Sequence, residues 1–354
     1  MLKEINKFRK RIMIGLTKNV GATRIDTTAG TSMSMKRILI SRPNHRLGNL
    51  LLITPLLQEI NSVFPDCKID LFVKGGLAPI LFENYDQVDR TIILPKKPFK
   101  ELFKYINVWV SLKRHRYDLV INLDRASSSG RLSTSFVMAK NKFFGEYIEE
   151  LAEKHSDYRH MAKNPVYNFR YFLSKMGVKG NAAIVPTLSL KLTDAEIKDG
   201  QMLLNELVPD SKKTIALFTY ATGSKCYTED WWGKFYKKLL NAFPDYDFIE
   251  ILPVENISKI NFKAPSFYSK DVREIAAVIA NTSVFVGADS GIMHLAVSSQ
   301  TPTVGLFSVT DPSKYEPYGN GSIAIDTNKL NYDQSVAEIR KILETGELGL
   351  VQYA

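Results

Sequence analysis

Cysteine is almost missing from this chain, with only Cys67 and Cys226, far apart, among 354 residues. That excludes a disulfide-built scaffold and fits no zinc or redox spacing, so both are read as reduced thiols of a cytosolic protein. Long apolar runs are missing too. The nearest, Leu50 to Leu57, is short and contains Pro55, which excludes it as a bilayer-spanning helix. No apolar stretch with a small-residue cleavage site opens the chain, so no signal peptide is expected. No Gly-x-Gly-x-x-Gly follows a strand, which argues against a dinucleotide-dependent oxidoreductase. RNP, zinc-finger and helix-turn-helix signatures are absent, and nucleic acid is set aside as a partner.

The chain is 45% hydrophobic, which at this length suits two domains of ordinary size. Its net charge of +10 suits an anionic membrane face or a phosphorylated substrate. The clearest basic cluster is at the start. Leu2, Ile5, Phe8, Ile12 and Leu16 recur at helical spacing among Lys3, Lys7, Arg9, Lys10, Arg11 and Lys18. Such a basic amphipathic helix either lies on an anionic bilayer or packs on its own domain. Gly21 to Ser34, rich in Thr, Gly and Ser, reads as a linker.

From Lys36 the texture changes to strands alternating with helices. Strands are expected at 37–41, 68–73, 90–94, 118–123 and 142–145, and helices over 49–64, 77–84, 99–114 and 127–138. Residues 147–185 are polar and helical, 188–192 extended, and Thr193 to Glu196 carries a helix-start signal. A second alternation follows. Its strands are expected at 214–218, 248–252, 284–286 and 303–307, and its helices at 231–243, 269–280, 291–298 and 335–345. The expected organisation is an extension over 1–35, an α/β lobe over 36–190, a second over 191–330, and a tail over 331–354. Parallel sheets of this kind bind ligands beyond the carboxyl ends of their strands.

Three strand-to-helix segments carry chemistry. In Val284-Phe-Val-Gly-Ala-Asp-Ser-Gly-Ile-Met-His-Leu-Ala-Val, a strand delivers a small polar loop into a helix. The first helix amides, near Ser290 and Gly291, lack internal partners and favour an anion, and Gly291 lets a phosphate approach closely. Asp289 either accepts hydrogen bonds from sugar hydroxyls or is a plain N-cap. His294, one turn on, faces the cleft or the core. The second segment, Phe218-Thr-Tyr-Ala-Thr-Gly-Ser-Lys-Cys-Tyr, offers Thr222, Ser224 and Lys225 to a diphosphate, or is an ordinary loop. Trp231 and Trp232 beyond it read as core. The third, Ser41 to Pro55, is a glycine-bearing loop made basic by Arg42, His45 and Arg46, which suits an anionic acceptor.

These segments resemble glycosyltransferase family 9, the ADP-heptose:lipopolysaccharide heptosyltransferases. The likeness covers about Lys36 to Gly319. It is most specific in Gly287-Ala-Asp-Ser-Gly-Ile-Met-His-Leu-Ala, followed by Thr301-Pro-Thr-Val-Gly-Leu-Phe and Asp311-Pro. Thr54-Pro-Leu-Leu, Phe64-Pro and Tyr117-Asp-Leu-Val-Ile-Asn-Leu-Asp124 match earlier motifs. The resemblance implies a GT-B architecture: two Rossmann-like lobes, acceptor in the first and donor in the second, with a cleft between them. It implies inversion without a metal clamp and no cofactor beyond the nucleotide-sugar, ADP-heptose by family habit. It implies a lipid-linked saccharide acceptor at the cytoplasmic face of the membrane. Carried over by position, Asp289 binds donor sugar hydroxyls, Ser290 and Gly291 give amides to the diphosphate, and His294 stands beside them. Thr222, Ser224 and Lys225 hold the phosphates from the other side. Glu255 falls where the family often has a ribose-binding acid, although the usual glycines are missing there.

One departure matters. Where the family has Gly-Asp, with that Asp taken as general base, this chain has Gly48-Asn49. An amide does not take a proton from a hydroxyl at neutral pH. Either His45 or Asp124 serves as base, or positioning and diphosphate stabilisation carry the reaction, or the protein binds sugar-nucleotides without transfer.

Overall fold

The structure, a computed structural model, describes residues 15, 17, 19–26, 34–96, 100–178, 181, 183–210 and 213–351, with side chains as far as residue 344. The basic helix expected over residues 1–20 lies outside the described residues, apart from Gly15, Thr17, Asn19 and Val20. Residues 21–26, expected as linker, are tied down instead. Arg24 forms an antiparallel bridge with Lys142, and Thr23 Oγ1 donates to Glu146 at 2.6 Å. Among the described residues no helix is long and apolar enough to cross a membrane.

The chain divides into two compact units, and the division does not follow the sequence. Met1–Arg46 and Pro55–Pro186 form one, while Leu47–Thr54 joins Thr187–Ala354 in the other. The first unit holds β1 (Arg37–Ser41), β2 (Lys68–Lys74), β3 (Val88–Leu94), β4 (Tyr117–Asn122) and β5 (Ala139–Phe143). They form one parallel sheet in the order β3-β2-β1-β4-β5. Its inner strands are buried on both faces, which is why they read as unbroken apolar runs.

Helices α1 (Leu47–Leu51) and α2 (Thr54–Val63) replace the single helix expected over 49–64. Pro55 has no N–H for a continuing ladder, and Thr54 Oγ1 donates to the Leu51 carbonyl at 2.8 Å at the break. The connections continue with α3 (Ala78–Leu81), α4 (Leu102–Ser111), α5 (Ser128–Phe136), α6 (Glu149–Lys154) and α7 (Lys163–Lys175). Tyr105, Val108 and Trp109 of α4 pack on a cluster that includes Leu39, Phe72, Leu94 and Val120.

The second unit opens with α8 (Asp194–Leu207), which has the capping box its sequence announced: Thr193 and Glu196 each accept the other's backbone N–H. Glu196 also pairs with Arg273 at 2.5 Å. Then come β6 (Thr214–Phe218), α9 (Glu229–Ala242), β7 (Asp247–Ile251), β8 (Ser266–Phe267), α10 (Val272–Ala280), β9 (Val284–Ala288), α11 (Gly291–Ser298), β10 (Thr303–Phe307), α12 (Pro312–Tyr315), β11 (Ile323–Asp326) and α13 (Tyr332–Val351). The six strands are parallel in the order β11-β10-β9-β6-β7-β8. β8, α12 and β11 were not expected from the sequence; each is four residues or fewer, too short for a periodic signal. Residues 188–192 are extended without joining a ladder; Leu190 N–H donates to the Ser298 carbonyl at 2.8 Å. Trp232 is fully buried with Phe235 and Leu239, the core role read for it.

Both sheets reverse direction beside their first strand, between β1 and β4 and between β6 and β9. Loops leaving the two strands at such a switch point run to opposite faces and leave a crevice at the carboxyl ends.

Candidate functional site

In the second unit the two switch-point strands deliver two of the three segments singled out above. Beyond β6 the chain makes a short 3₁₀ turn over Gly223–Lys225. Gly223 has φ +70°, a left-handed conformation that favours glycine, with nothing crowding its side-chain position. Thr222 and Ser224 are exposed on this turn and Lys225 is half-buried. Asp289 follows β9, and its N–H donates to the Leu306 carbonyl at 3.0 Å. Its side chain is 8% exposed, and the carboxylate pairs with Lys225 Nζ at 3.1 Å. The two segments, 64 residues apart in sequence, therefore meet through one half-buried ion pair.

The helix cap is Ser290, not Asp289. Ser290 is extended, and its Oγ accepts the Met293 N–H at 3.3 Å. The Asp289 carboxylate is thus not occupied as a cap. The amides of Gly291 and Ile292 lie in the first turn, where no helical acceptor exists for them, at the positive end of the helix dipole. Here a helix end and a lysine, which can donate to an anion, stand beside a carboxylate, which can accept from hydroxyls.

Asn49 belongs to this unit as well. Its helix α1 packs against α11. A Cβ on Gly48 would stand 2.6 Å from His294 Cδ2 and 3.4 Å from Gly291 Cα; one on Gly291 would stand 3.2 Å from Leu47 Cβ. Two facing glycines let the helix backbones approach this closely. Close helix packing, rather than room for a phosphate, therefore accounts for glycine at position 291, and its amide is what it can offer a ligand. His294 is only 5% exposed, set against Gly48 and edge-on to the Tyr315 ring at 6.4 Å. Burial depresses its pKa to about 4; the neighbouring Asp289 charge opposes that and Lys225 adds to it. The donor contact expected of His294 is corrected on this ground: the ring is a neutral packing piece beneath Asp289 and Lys225.

Glu255 is exposed in the loop after β7. The acid that the fold buries there is Glu250, unmarked in the sequence reading. Thr219 Oγ1 donates to Glu250 Oε1 at 2.5 Å and accepts the Lys259 N–H at 3.0 Å. This pins the Glu255 loop to the end of β6, and burial raises the Glu250 pKa. A charged residue inside an otherwise apolar run of a buried strand was the available signal.

In the first unit, Arg42 is buried rather than presented to an acceptor. Its Nη1 donates to the Leu123 carbonyl at 3.1 Å and lies 3.9 Å from Asp124 Oδ2, so it clamps the ends of β1 and β4. The expectation of Arg42 as an acceptor contact is corrected accordingly. Asp124 Oδ1 also accepts the Ala126 N–H at 3.0 Å. His45 and Arg46 are exposed. The His45 pKa is lowered, first by partial burial and then by the charges of Lys96, Lys74 and Arg46. Lys74 and Lys96, at the ends of β2 and β3, were missed; their strand-end positions were the only hint. Among the described residues no three His, Cys, Asp or Glu are grouped to hold a metal ion.

The family model described as Glycosyltransferase family 9 (heptosyltransferase) matches residues 270–341, which include β9, Asp289 and α11. Lipopolysaccharide heptosyltransferase 3 of Escherichia coli is 24% identical over 294 residues, covering 78% of this chain and 85% of the relative. The solved glycosyl transferase family 9 protein of Veillonella parvula superposes with a TM-score of 0.67 at 17% identity, over 90% of this chain and all of the other. The Escherichia coli heptosyltransferase WaaC, solved with ADP, superposes with a TM-score of 0.63 at 18% identity, over 88% and 99%. At these identities the structural likeness speaks for the fold: two Rossmann-like lobes of the GT-B class.

Proposed function

Because this chain belongs to glycosyltransferase family 9, we propose that it moves a heptose from ADP-heptose onto a hydroxyl of a lipopolysaccharide-type glycolipid. The reaction inverts the anomeric centre and uses no metal. The observation that carries the donor assignment is the Lys225–Asp289 pair at 3.1 Å beside the first turn of α11. ADP bound to WaaC, a structure of the same fold, supports the choice of nucleotide.

The acceptor oxygen attacks the anomeric carbon as the bond from that carbon to the diphosphate oxygen breaks. The electron pair leaves with ADP, and the hydroxyl proton passes to a base. Lys225 and the amides of Gly291 and Ile292 meet the charge growing on the diphosphate, with Thr222 and Ser224 bonding its oxygens. Asp289 accepts hydrogen bonds from sugar hydroxyls and so aims the anomeric carbon. Glu255 takes the ribose. Arg46 attracts the anionic acceptor. Asn49 cannot take the proton, so the base is sought in His45, which its lowered pKa keeps neutral at pH 7, and in Asp124. The enzyme works at the cytoplasmic face of the membrane, where such an acceptor is assembled.

Asn49 also favours a second reading, a sugar-nucleotide binding protein without transfer. A calorimetric screen across nucleotide-sugars, followed by mass analysis of products with lipid-linked acceptors, separates the two. Binding of ADP-heptose with a heptose-extended product supports the proposal. Binding without transfer or donor hydrolysis supports the second reading, no binding of any ADP-sugar removes the first, and no binding of any nucleotide-sugar removes both.

A further inference from the structure

Helix α4 has two apolar faces, and among the described residues the first unit covers only one. Tyr105, Val108 and Trp109 turn inward. Leu102, Phe103, Ile106 and Val110 are 53, 85, 49 and 60% exposed. At about 100° per residue these four fall within one stripe roughly 100° wide. Phe136 and Met138, also exposed, extend the apolar surface, since Phe136 sits edge-on to Trp109 at 5.8 Å. Four large side chains side by side in water on a ten-residue helix are more than scattered surface apolarity.

The rim is basic. The described residues 96 and 100–116 contain six Lys or Arg and one acid, Glu101. Lys104 is 65% exposed, Lys113 and Arg114 are exposed, and Lys113 Nζ stands 4.3 Å above the Phe136 ring. A second copy of the chain would bring one cationic rim against another. An anionic bilayer meets both features at once, with the stripe at the headgroup boundary and the lysines on the lipid phosphates.

We propose that this face of α4 docks the enzyme on an anionic lipid surface. The site lies in the folded first unit and is distinct in sequence from the basic stretch at the start of the chain. It rests on the proposed function only for why the protein should be at a membrane; the docking itself stands on the helix.

The test is co-sedimentation of the full chain with phosphatidylcholine vesicles, with and without phosphatidylglycerol. Wild type is expected to sediment only with the anionic vesicles. The pair Phe103→Ser and Ile106→Ser should lower partitioning roughly tenfold or more, since each side chain withdraws substantial apolar area from water. Lys113→Glu with Arg114→Glu should lower it as well, and more steeply at low salt. These residues touch solvent, so unchanged circular dichroism and thermal melting are expected and report folding without reference to any donor. A chain lacking residues 2–20 should keep binding through α4. The proposal is overturned if wild type ignores anionic vesicles, if the Ser pair sediments like wild type, or if removing 2–20 alone abolishes binding. It is also overturned if the Ser pair merely turns a dimer into a monomer.

Discussion

Replacing Asp289 by Asn should separate the two halves of the donor. In the free protein the carboxylate holds Lys225 Nζ at 3.1 Å, so a diphosphate must draw the ammonium away from a negative partner. Two unit charges at that distance attract by about 5 kcal/mol at an effective dielectric of ~20, and by about 1 kcal/mol in water. Lys225 is 31% exposed, which moves the pair toward the lower end, so the competition is worth about 2 kcal/mol, roughly 30-fold in affinity. Asp289→Asn removes that competition. ADP should therefore bind as well as in wild type or tighter, by at most roughly 30-fold. ADP-heptose should not share the gain, because an amide in place of the carboxylate gives up the charge-assisted bonds to the sugar hydroxyls. Lys225→Ala should weaken both ligands by roughly tenfold or more. Isothermal titration of wild type and the two variants with ADP and ADP-heptose reads the ratio of the two affinities. If Asp289→Asn weakens ADP itself, or weakens both ligands equally, the carboxylate does not serve the sugar and the assignment of roles fails.

Gly48→Ala drives a methyl into the buried His294 ring and should cost about 1–3 kcal/mol in urea unfolding, whereas Gly76→Ala, with open space around it, should be near neutral. Glu196, paired with Arg273, has its pKa depressed to about 2. Its stabilising contribution is thus fully present above the ordinary value of 4.5 and is lost as pH falls toward 2, so Glu196→Gln should flatten the acid side of a stability-versus-pH curve. If His45 is the base, kcat/KM should hold at neutral pH and fall only below the ordinary imidazole value of 6.5. His45→Ala should remove that acid limb, while a limb that survives in His45→Ala and vanishes in Asp124→Asn would move the role to Asp124.

Much of this was written along the chain. Buried parallel strands announce themselves as short apolar runs between helices, so two alternating α/β stretches and the strand-loop-helix at Asp289 were readable locally. The helix over 291–298 and the Thr193–Glu196 capping box depend on neighbours three or four residues away, and those are in the sequence. Where a polar side chain points was not. Asp289 as cap or as ligand group was undecided until Ser290 took the cap and Lys225, 64 residues earlier, took the carboxylate.

Arg42 and His294 looked like site residues because loops and helix starts are where ligands bind. Whether each faces ligand or protein depends on what packs over it: the ends of β4 for Arg42, Gly48 and Tyr315 for His294. Asn49 shows the same limit most clearly. By sequence it follows the first strand of the first lobe, yet the close approach of Gly48 to Gly291 places it in the unit that holds Lys225 and Asp289. Periodicity and capping are short-range and belong to the sequence. The partner of a charge, the burial of a ring and the unit a short helix joins are set by chain-distant contacts, which only the folded structure supplies.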